Sequence, residues 1–290
     1  MKIVRKVLKW ALIALLIVIV ALGVTVGPTA YRAYMGIGHY DTVPPALPSD
    51  LPSPAILVFS KTNGFRHDES ITAANAMLAS AAKQRGWAVF ATENAAVFNP
   101  ADLARFRVVV FNNSSGDVFD AAQRKTLVDY LNGGGGFVGI HATGGDFSYK
   151  WRWHVDDLIG AQFVGHTIWP HYPIATVRVE QPQHPIMAGV PMVLSRADEW
   201  YSFDKSVRAK GYQVLATLDE DSYLPGSRFT GSLHMGKDHP IIWTHCIGKG
   251  RVFYSALGHT PESYAEPAYR ALLTQAVAWA GAPGGCEAGK

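Results

Sequence analysis

The chain has 290 residues, of which 48% are hydrophobic and 17% are charged, and its formal net charge is +3. This composition excludes a disordered or fibrous protein and is sufficient for one large domain with its own core. Because the basic residues form no stripe beyond the N-terminus, we expect no nucleic-acid partner.

The N-terminal region predicts a membrane anchor. A basic segment at residues 1–9 precedes an uncharged aliphatic stretch, and we assign the anchor to residues 10–30. About 20 helical residues cross a hydrocarbon core, whereas a cleaved signal peptide, the alternative, usually has an apolar region of about 7 to 15 residues. The positive-inside bias places the basic segment in the cytoplasm. We therefore expect a single-pass membrane protein whose soluble domain is extracytoplasmic.

Two further segments are predicted to lie outside the domain. Residues 31–54 include the stretch PPALPSDLPSP, which is typical of a stiff, extended linker. Residues 282–290 are rich in glycine and are predicted to be a flexible tail. Because Cys286 lies in this tail and Cys246 in an apolar run, we expect no disulfide between them.

Residues 55–281 are predicted to form one α/β domain. Continuous apolar segments alternate with helical patterns in the first half, and strands predominate in the second half. This order predicts a doubly wound, mostly parallel sheet with helices on both faces. The predicted strands are 55–60, 87–92, 107–113, 137–142, 175–180, 212–218, 240–247 and 250–258, and the predicted helices are 69–85, 119–132 and 266–280.

Histidines follow three of the predicted strands: His67, His141 and His259. Ligands bind beyond the carboxyl ends of the strands in open α/β sheets, so these side chains are candidates for one site. Neutral imidazole is a common metal ligand and also carries protons near neutral pH. We therefore expect either a divalent metal site, for zinc or a similar ion, or an acid–base site.

Two aromatic segments in the middle of the chain supply further candidates. GHTIWPHY contains His166, a further potential metal ligand, together with His171 and Tyr172. DEWYSF contains Glu199, and a carboxylate beside aromatic rings is suited to act as a general base. We predict that Glu199 is a base or an additional ligand.

The glycine run at residues 133–136 has a simpler interpretation than a phosphate-binding loop. It follows a predicted helix and precedes a predicted strand, and glycine commonly ends a helix. Neither GxxxxGK[ST] nor GxGxxG occurs there in the context that nucleotide binding requires, so we expect no nucleotide cofactor.

The motifs KTNGFRHDESI, VVVFNNSSGDVF, GGGFVGIHATGGDF, DEWYSF and GRVFYSALGHTPESY, in this order, resemble the trehalose-utilisation (ThuA-like) family. The resemblance implies a class I glutamine amidotransferase-like fold and a role in the metabolism of trehalose or of related, oxidised (keto) disaccharides. Amidotransferases of this fold carry a nucleophilic cysteine at the turn where this chain has His141. Cysteine-dependent glutamine hydrolysis is therefore not expected.

Combining the pattern with the resemblance, we predict a membrane-anchored enzyme that acts on a small carbohydrate. The predicted catalytic residues are His141, Glu199 and His67. The predicted substrate-binding residues are Trp169, Trp200, Tyr201 and Asn112, and the predicted metal ligands are His67, His141, His259 and His166. The alternative is a non-catalytic carbohydrate-binding or sensory module, tethered to the membrane, that uses the same pocket.

Overall fold

The computed structural model describes residues 2–226 and 231–286. The chain begins with helix α1 (Lys2–Thr25), which a turn at Val26 separates from the short helix α2 (Gly27–Met35). Helix α1 buries none of its residues, and by length and composition it could cross a membrane. It begins inside the basic segment, so it is longer at that end than the anchor predicted from the sequence.

Residues 36–54 lie on the surface of the domain, which differs from the expected extended spacer. The Asp41 carboxylate pairs with Lys61 and accepts a hydrogen bond from the backbone N–H of Ala95 at 2.8 Å. The Tyr40 hydroxyl donates to Asp117 at 3.0 Å, and Leu47 packs against the core. These contacts hold the segment in place, although its proline content suggested an independent linker.

The central sheet contains nine strands in the order β2-β1-β3-β4-β11-β10-β9-β6-β7, and β5 and β8 form a separate pair. Strands β10 and β6 run opposite to the other seven strands of the large sheet. The predicted α/β fold with a mostly parallel sheet is therefore confirmed. The strands are β1 (Ala55–Phe59), β2 (Ala88–Thr92), β3 (Val108–Asn112), β4 (Gly136–Ile140), β5 (Phe163–His166), β6 (Ile174–Val179), β7 (Val193–Ala197), β8 (Tyr201–Phe203), β9 (Gln213–Asp219), β10 (Pro240–Ile247) and β11 (Gly250–Ser255).

Helices cover both faces of the parallel half of the sheet. They are α3 (Asp68–Arg85), α4 (Pro100–Leu103), α5 (Ala121–Asn132) and α6 (Pro267–Ala280). Alternate residues of β1 point to opposite faces, so Val58 joins the core beneath α3 and α6, whereas Leu57 joins the core beneath α5. This double covering explains why β1, β3 and β4 are buried along their whole length.

The prediction that the cysteines are not paired is wrong, because a disulfide joins Cys246 of β10 to Cys286. Residues 281–286 fold back onto the domain and do not extend from it. Arg107 and Arg251 donate to the Ala282 carbonyl, each at 2.8 Å, and the backbone N–H of Cys286 donates to the Lys249 carbonyl at 2.8 Å. Only residues 287–290 of the predicted tail lie outside the described residues.

Candidate functional site

The carboxylate of Glu199, just before β8, is the centre of a histidine cluster. His67 lies at the start of α3, while His141 and His259 follow β4 and β11. One side-chain donor atom from each of these four residues lies within 4.8 Å of the others. The fold therefore brings together the three histidines that follow separate strands and the carboxylate predicted to act with them.

Two more histidines approach Glu199 from the other side. His171 Nε2 lies 2.5 Å from Glu199 Oε1, and His166 Nδ1 lies 3.2 Å from the same oxygen. His166 Nδ1 also donates to the Thr167 carbonyl at 2.9 Å. His166, His171 and Glu199 form a second group of potential ligands that shares its carboxylate with the first.

His141 is held in an uncommon backbone conformation at the end of β4, with φ of 46°. Left-handed backbone is unfavourable for a side chain with a Cβ and is found most often where the surroundings impose it. The His141 Nδ1 atom donates to the Ala256 carbonyl at 2.7 Å, which leaves the lone pair on Nε2. That lone pair faces the Tyr201 hydroxyl at 2.8 Å and His259 Nδ1 at 3.1 Å.

The glycines after His141 allow two tyrosines to pack beneath the turn. A Cβ atom on Gly145 would lie 2.0 Å from the ring of Tyr201, and one on Gly144 would lie 2.6 Å from the ring of Tyr254. Tyr201 stacks on the His141 imidazole with ring centroids 4.3 Å apart, and the Tyr254 hydroxyl donates to the His141 carbonyl at 2.8 Å. The GG pair in HATGGDF thus fixes the position of the imidazole.

The fully buried carboxylate of Asp198 positions the turn that carries His259. It accepts hydrogen bonds from the backbone N–H groups of Gly258 at 3.0 Å and His259 at 3.1 Å, and it pairs with Arg196 at 3.1 Å. His259 Nδ1 lies 2.8 Å from a Glu199 oxygen, and its Nε2 lies 3.0 Å from the Tyr172 hydroxyl. Asp198 therefore acts through His259, whereas Glu199 faces the cluster directly.

Burial and neighbouring charges set the protonation of this site. Burial alone would raise the pKa of Glu199, but the surrounding imidazole groups outweigh it and hold that pKa well below its usual value. Burial lowers the pKa of His67 well below its usual value, and the nearby His141 and His259 lower it further. Burial also lowers the pKa of His166. An anionic carboxylate beside imidazoles whose pKa is lowered, such as His67, is suited to binding a cation.

A cavity of about 260 Å³ opens beside this cluster. Of the side chains predicted for the site, His67, His166, Glu199, Tyr201 and His259 line it, and His141 is buried and contacts Tyr201 and His259. His171 and Tyr172, from the aromatic segment that supplied further candidates, also line it, and so do the following residues that were not predicted from sequence: Ala33, Tyr34, Phe65, Gly145, Asp146, Phe147 and Phe163.

Three residues predicted to bind substrate do not line this cavity within the part of the chain that the structure describes. Trp200 is buried in the core and donates to the Pro173 carbonyl at 2.7 Å. Asn112 is fully buried and donates to the Ile71 carbonyl at 3.0 Å and to Asn75 at 2.9 Å. Trp169 is 80% exposed. Tyr201 is the one predicted substrate-binding residue in the lining.

Asp146 lines the cavity with a shifted pKa but was not among the residues predicted from the sequence. Its side chain lines the cavity and is buried, and burial raises the pKa of Asp146 to about 6, although hydrogen bonds from Ser148 and from the Phe65 backbone oppose the rise. The carboxylate accepts from the Ser148 N–H at 2.5 Å. Because Asp146 lies in the loop after β4, the rule that selected His141 would also have selected it.

The donor atoms are spaced as a metal coordination shell requires. Tetrahedral zinc with ligands at about 2.0–2.1 Å separates neighbouring ligand atoms by about 3.3 Å. In the cluster, His259 Nδ1 lies 2.8 Å from Glu199, His141 Nε2 lies 3.3 Å from Glu199, and the two nitrogens are 3.1 Å apart. The His141 N–H bond to a backbone carbonyl is also the usual outer support of a ligating histidine.

His67 provides a second, independent indication of a metal site. Its Nδ1 atom is buried and has no hydrogen-bond partner among residues 2–226 and 231–286. A buried polar atom without a partner costs about 1–3 kcal/mol, so such atoms call for an explanation. The four side chains His67, His141, Glu199 and His259 therefore fit a divalent metal by residue type and spacing.

Comparison with known proteins identifies the domain. The family model described as "ThuA: Trehalose utilisation" matches residues 55–280. The structure is similar to that of a ThuA-like protein from Bacteroides uniformis, with 25% identity, a TM-score of 0.68, and coverage of 82% of this chain and 95% of the other. A ThuA-like protein from Parabacteroides merdae shares the fold at 18% identity, with a TM-score of 0.59 and coverage of 80% and 91%. No curated protein matches the sequence. The match over residues 55–280 shows that this chain belongs to the ThuA (trehalose utilisation) family.

Proposed function

We propose that this protein is a membrane-anchored enzyme of carbohydrate metabolism that acts on trehalose-like or oxidised (keto) disaccharides. In this proposal a divalent metal ion is held by His67, His141, Glu199 and His259. The observation that carries it is the convergence of one donor atom from each of these four side chains within 4.8 Å, where the buried Nδ1 of His67 also has no hydrogen-bond partner in the described residues. When bound, such a metal would polarise a sugar oxygen or lower the pKa of a water molecule.

The side chains around the cavity have distinct roles in this proposal. Glu199 stays ionised because its imidazole neighbours favour the anion, so it serves as a ligand. Asp146, with a pKa of about 6, can take up and release a proton near neutral pH and serves as the general base. Two carboxyl groups in one cavity with pKa values pushed apart in this way allow one to hold charge while the other moves a proton.

The proposed location is the extracytoplasmic side of a membrane. Helix α1 carries basic residues at its N-terminal end and none in its last turn, which favours a cytoplasmic N-terminus. The disulfide between Cys246 and Cys286 supports the same side, because disulfides persist in oxidising compartments and are rare in the cytosol.

The test is metal analysis and turnover of the full-length protein in detergent, with trehalose and its keto derivatives as substrates. We expect about one metal ion per chain and product formation by the unmodified protein. His141→Asn removes the imidazole while tolerating the left-handed backbone, so metal and turnover should both be lost. His245→Asn is the matched control, because His245 is also buried but donates to the Leu158 carbonyl at 2.9 Å, outside the cavity lining.

The outcomes separate the enzyme from a tethered sugar-binding module. Sugar binding without metal or product, unchanged in the His141→Asn variant, would favour the non-catalytic module. Metal and product that persist in His141→Asn would contradict the assignment of the site. Equal losses in His141→Asn and His245→Asn would indicate general unfolding, which circular dichroism of both variants would reveal.

A further inference from the structure

The short helix α2, which follows the membrane helix, is fixed to the loop that carries His67. The Arg32 guanidinium donates to the Thr62 carbonyl and to the Thr62 hydroxyl, the latter at 3.1 Å. Just after the helix, the backbone N–H of Ile37 donates to the Asn63 carbonyl at 2.8 Å. Helix α2 is therefore part of the folded domain and not a free connection to it.

Helix α2 also forms one wall of the cavity. Ala33 and Tyr34 are among the residues that line it, together with Glu199 and His259. The Tyr34 ring stacks on Phe147, with centroids 5.7 Å apart and an angle of 13° between the planes. Phe147 in turn packs on Phe163, with centroids 4.8 Å apart. The anchor-proximal helix and the loop after β4 thus share one aromatic stack.

The rings of Tyr34 and Phe147 remain accessible to solvent although they lie beside a buried site. Tyr34 is 65% exposed and Phe147 is 45% exposed. Small-molecule pockets combine apolar and aromatic walls with a few polar groups that fix orientation. Here the polar lining residues His67 and Glu199 are buried, whereas the rings of Tyr34 and Phe147 are exposed to solvent.

We propose that Tyr34, together with Phe147, forms a platform that binds the apolar C–H face of a sugar ring during turnover. This inference rests on the proposed carbohydrate function and assigns a substrate-binding role to a residue outside the part of the chain that the family model matches, which begins at residue 55. A flat aromatic ring supplies large contact area at low entropy cost, as the C–H face of a pyranose requires.

The platform also places the site near the membrane. Tyr34 lies nine residues beyond Thr25, the last residue of α1. Within α2, the distance from Gly27 to Tyr34 is about 11 Å at about 1.5 Å per helical residue. The helix that directly follows the proposed anchor therefore supplies one wall of the binding site.

The test compares three variants of the full-length protein in detergent, with trehalose and its keto derivatives as the probes. Tyr34→Ala should raise KM by about 3- to 10-fold, with kcat changed by less than about twofold and the metal content unchanged. Tyr34→Phe keeps the ring and should restore the unmodified KM. Tyr31→Ala is the matched control: Tyr31 lies on the same helix and is 61% exposed, but it is outside the cavity lining.

Different failures have different meanings. If Tyr34→Ala and Tyr31→Ala have the same KM in a protein that is active, the platform is refuted while the proposed function stands. If Tyr34→Ala lowers kcat or metal content and leaves KM unchanged, Tyr34 has a structural role and the inference is again wrong. If the unmodified protein neither binds these sugars by calorimetry nor converts them, the proposed function fails and the platform fails with it.

Discussion

Two glutamates in this structure are surrounded by histidines, yet only one of them marks a candidate active site. Glu199 faces five imidazoles beside the cavity. Glu220 accepts from His234 and His239, each at 2.8 Å, and from the backbone N–H groups of Met235 at 2.6 Å and Gly236 at 3.1 Å. Both clusters contain the same kinds of residue, so residue type alone does not distinguish them.

The difference lies in the lone pairs. Both ring nitrogens of His239 face oxygen acceptors, Glu220 and the Tyr201 carbonyl at 2.8 Å, so the ring acts only as a donor. His141 and His67, in contrast, present nitrogens that are not occupied as donors. The Glu220 cluster therefore holds the loop at residues 234–239, whereas the Glu199 cluster can accept a cation. Ring nitrogens that are not committed as hydrogen-bond donors, and not the number of histidines, distinguish the Glu199 cluster from the Glu220 cluster.

The largest predicted effect separates the two glutamates directly. Glu199→Gln should abolish metal binding and lower kcat/KM by more than about 100-fold, since loss of even an outer support costs about 10- to 100-fold. The Glu220→Gln variant should still bind the metal at the Glu199 cluster and should keep its turnover. Elemental analysis gives the metal content of both variants, and sugar turnover gives their kcat/KM. Equal metal loss in both variants would show that the comparison is mistaken.

Asp146→Asn should give the next largest effect. Loss of a general base lowers kcat by a factor of about 10² to 10⁴. The metal should remain bound because Asp146 is not one of the proposed ligands. In the unmodified protein, kcat should fall as the pH drops below about 6, because protonation of Asp146 removes the base. The residual activity of Asp146→Asn should lack this dependence, and a variant that retained it would exclude Asp146 as its source.

The rule that ligands bind beyond the carboxyl ends of the strands explains how far the sequence alone could predict the site. Apolar segments and their spacing predicted eight of the eleven described strands and missed β5, β7 and β8, and the histidines after β4 and β11 were predicted from their position alone. The rule could not choose between Trp200 and Tyr201, because neighbouring residues of an extended chain point to opposite sides. Only the fold shows that Tyr201 faces the cavity and Trp200 the core.

The contacts that the sequence could not predict join segments far apart in the chain. Asp41 of the segment 36–54 pairs with Lys61. Near the disulfide, Arg107 and Arg251 donate hydrogen bonds to the carbonyl of Ala282. The wall provided by Tyr34 likewise depends on Phe147. Composition described these segments as a linker and a tail, because composition carries no information about a partner that is distant in sequence.

Removal of the disulfide tests whether the stability of the fold can be lowered without changing the geometry of the metal site. Cys246 lies at the end of β10, which runs opposite to its neighbours, so it is at the edge of the sheet opposite to the cluster. Cys286→Ser should lower the free energy of unfolding by about 2–4 kcal/mol and leave metal content unchanged. Denaturant unfolding and elemental analysis check this, and loss of metal from the folded variant would contradict it.

The smallest predicted effect concerns stability at the Glu220 cluster and depends on pH. Hydrogen bonds from His239, the Met235 backbone and His234 outweigh burial and lower the pKa of Glu220 to about 2. Glu220→Gln should therefore lower the free energy of unfolding by about 1–3 kcal/mol at pH 7. Because the folded pKa lies below the unfolded value of about 4.3, this contribution is complete above that pH and is lost as the pH falls towards 2. Urea unfolding of both proteins at pH 7 and pH 3 should show the difference shrinking with acid, and a constant difference would mean that the ionised Glu220 is not its source.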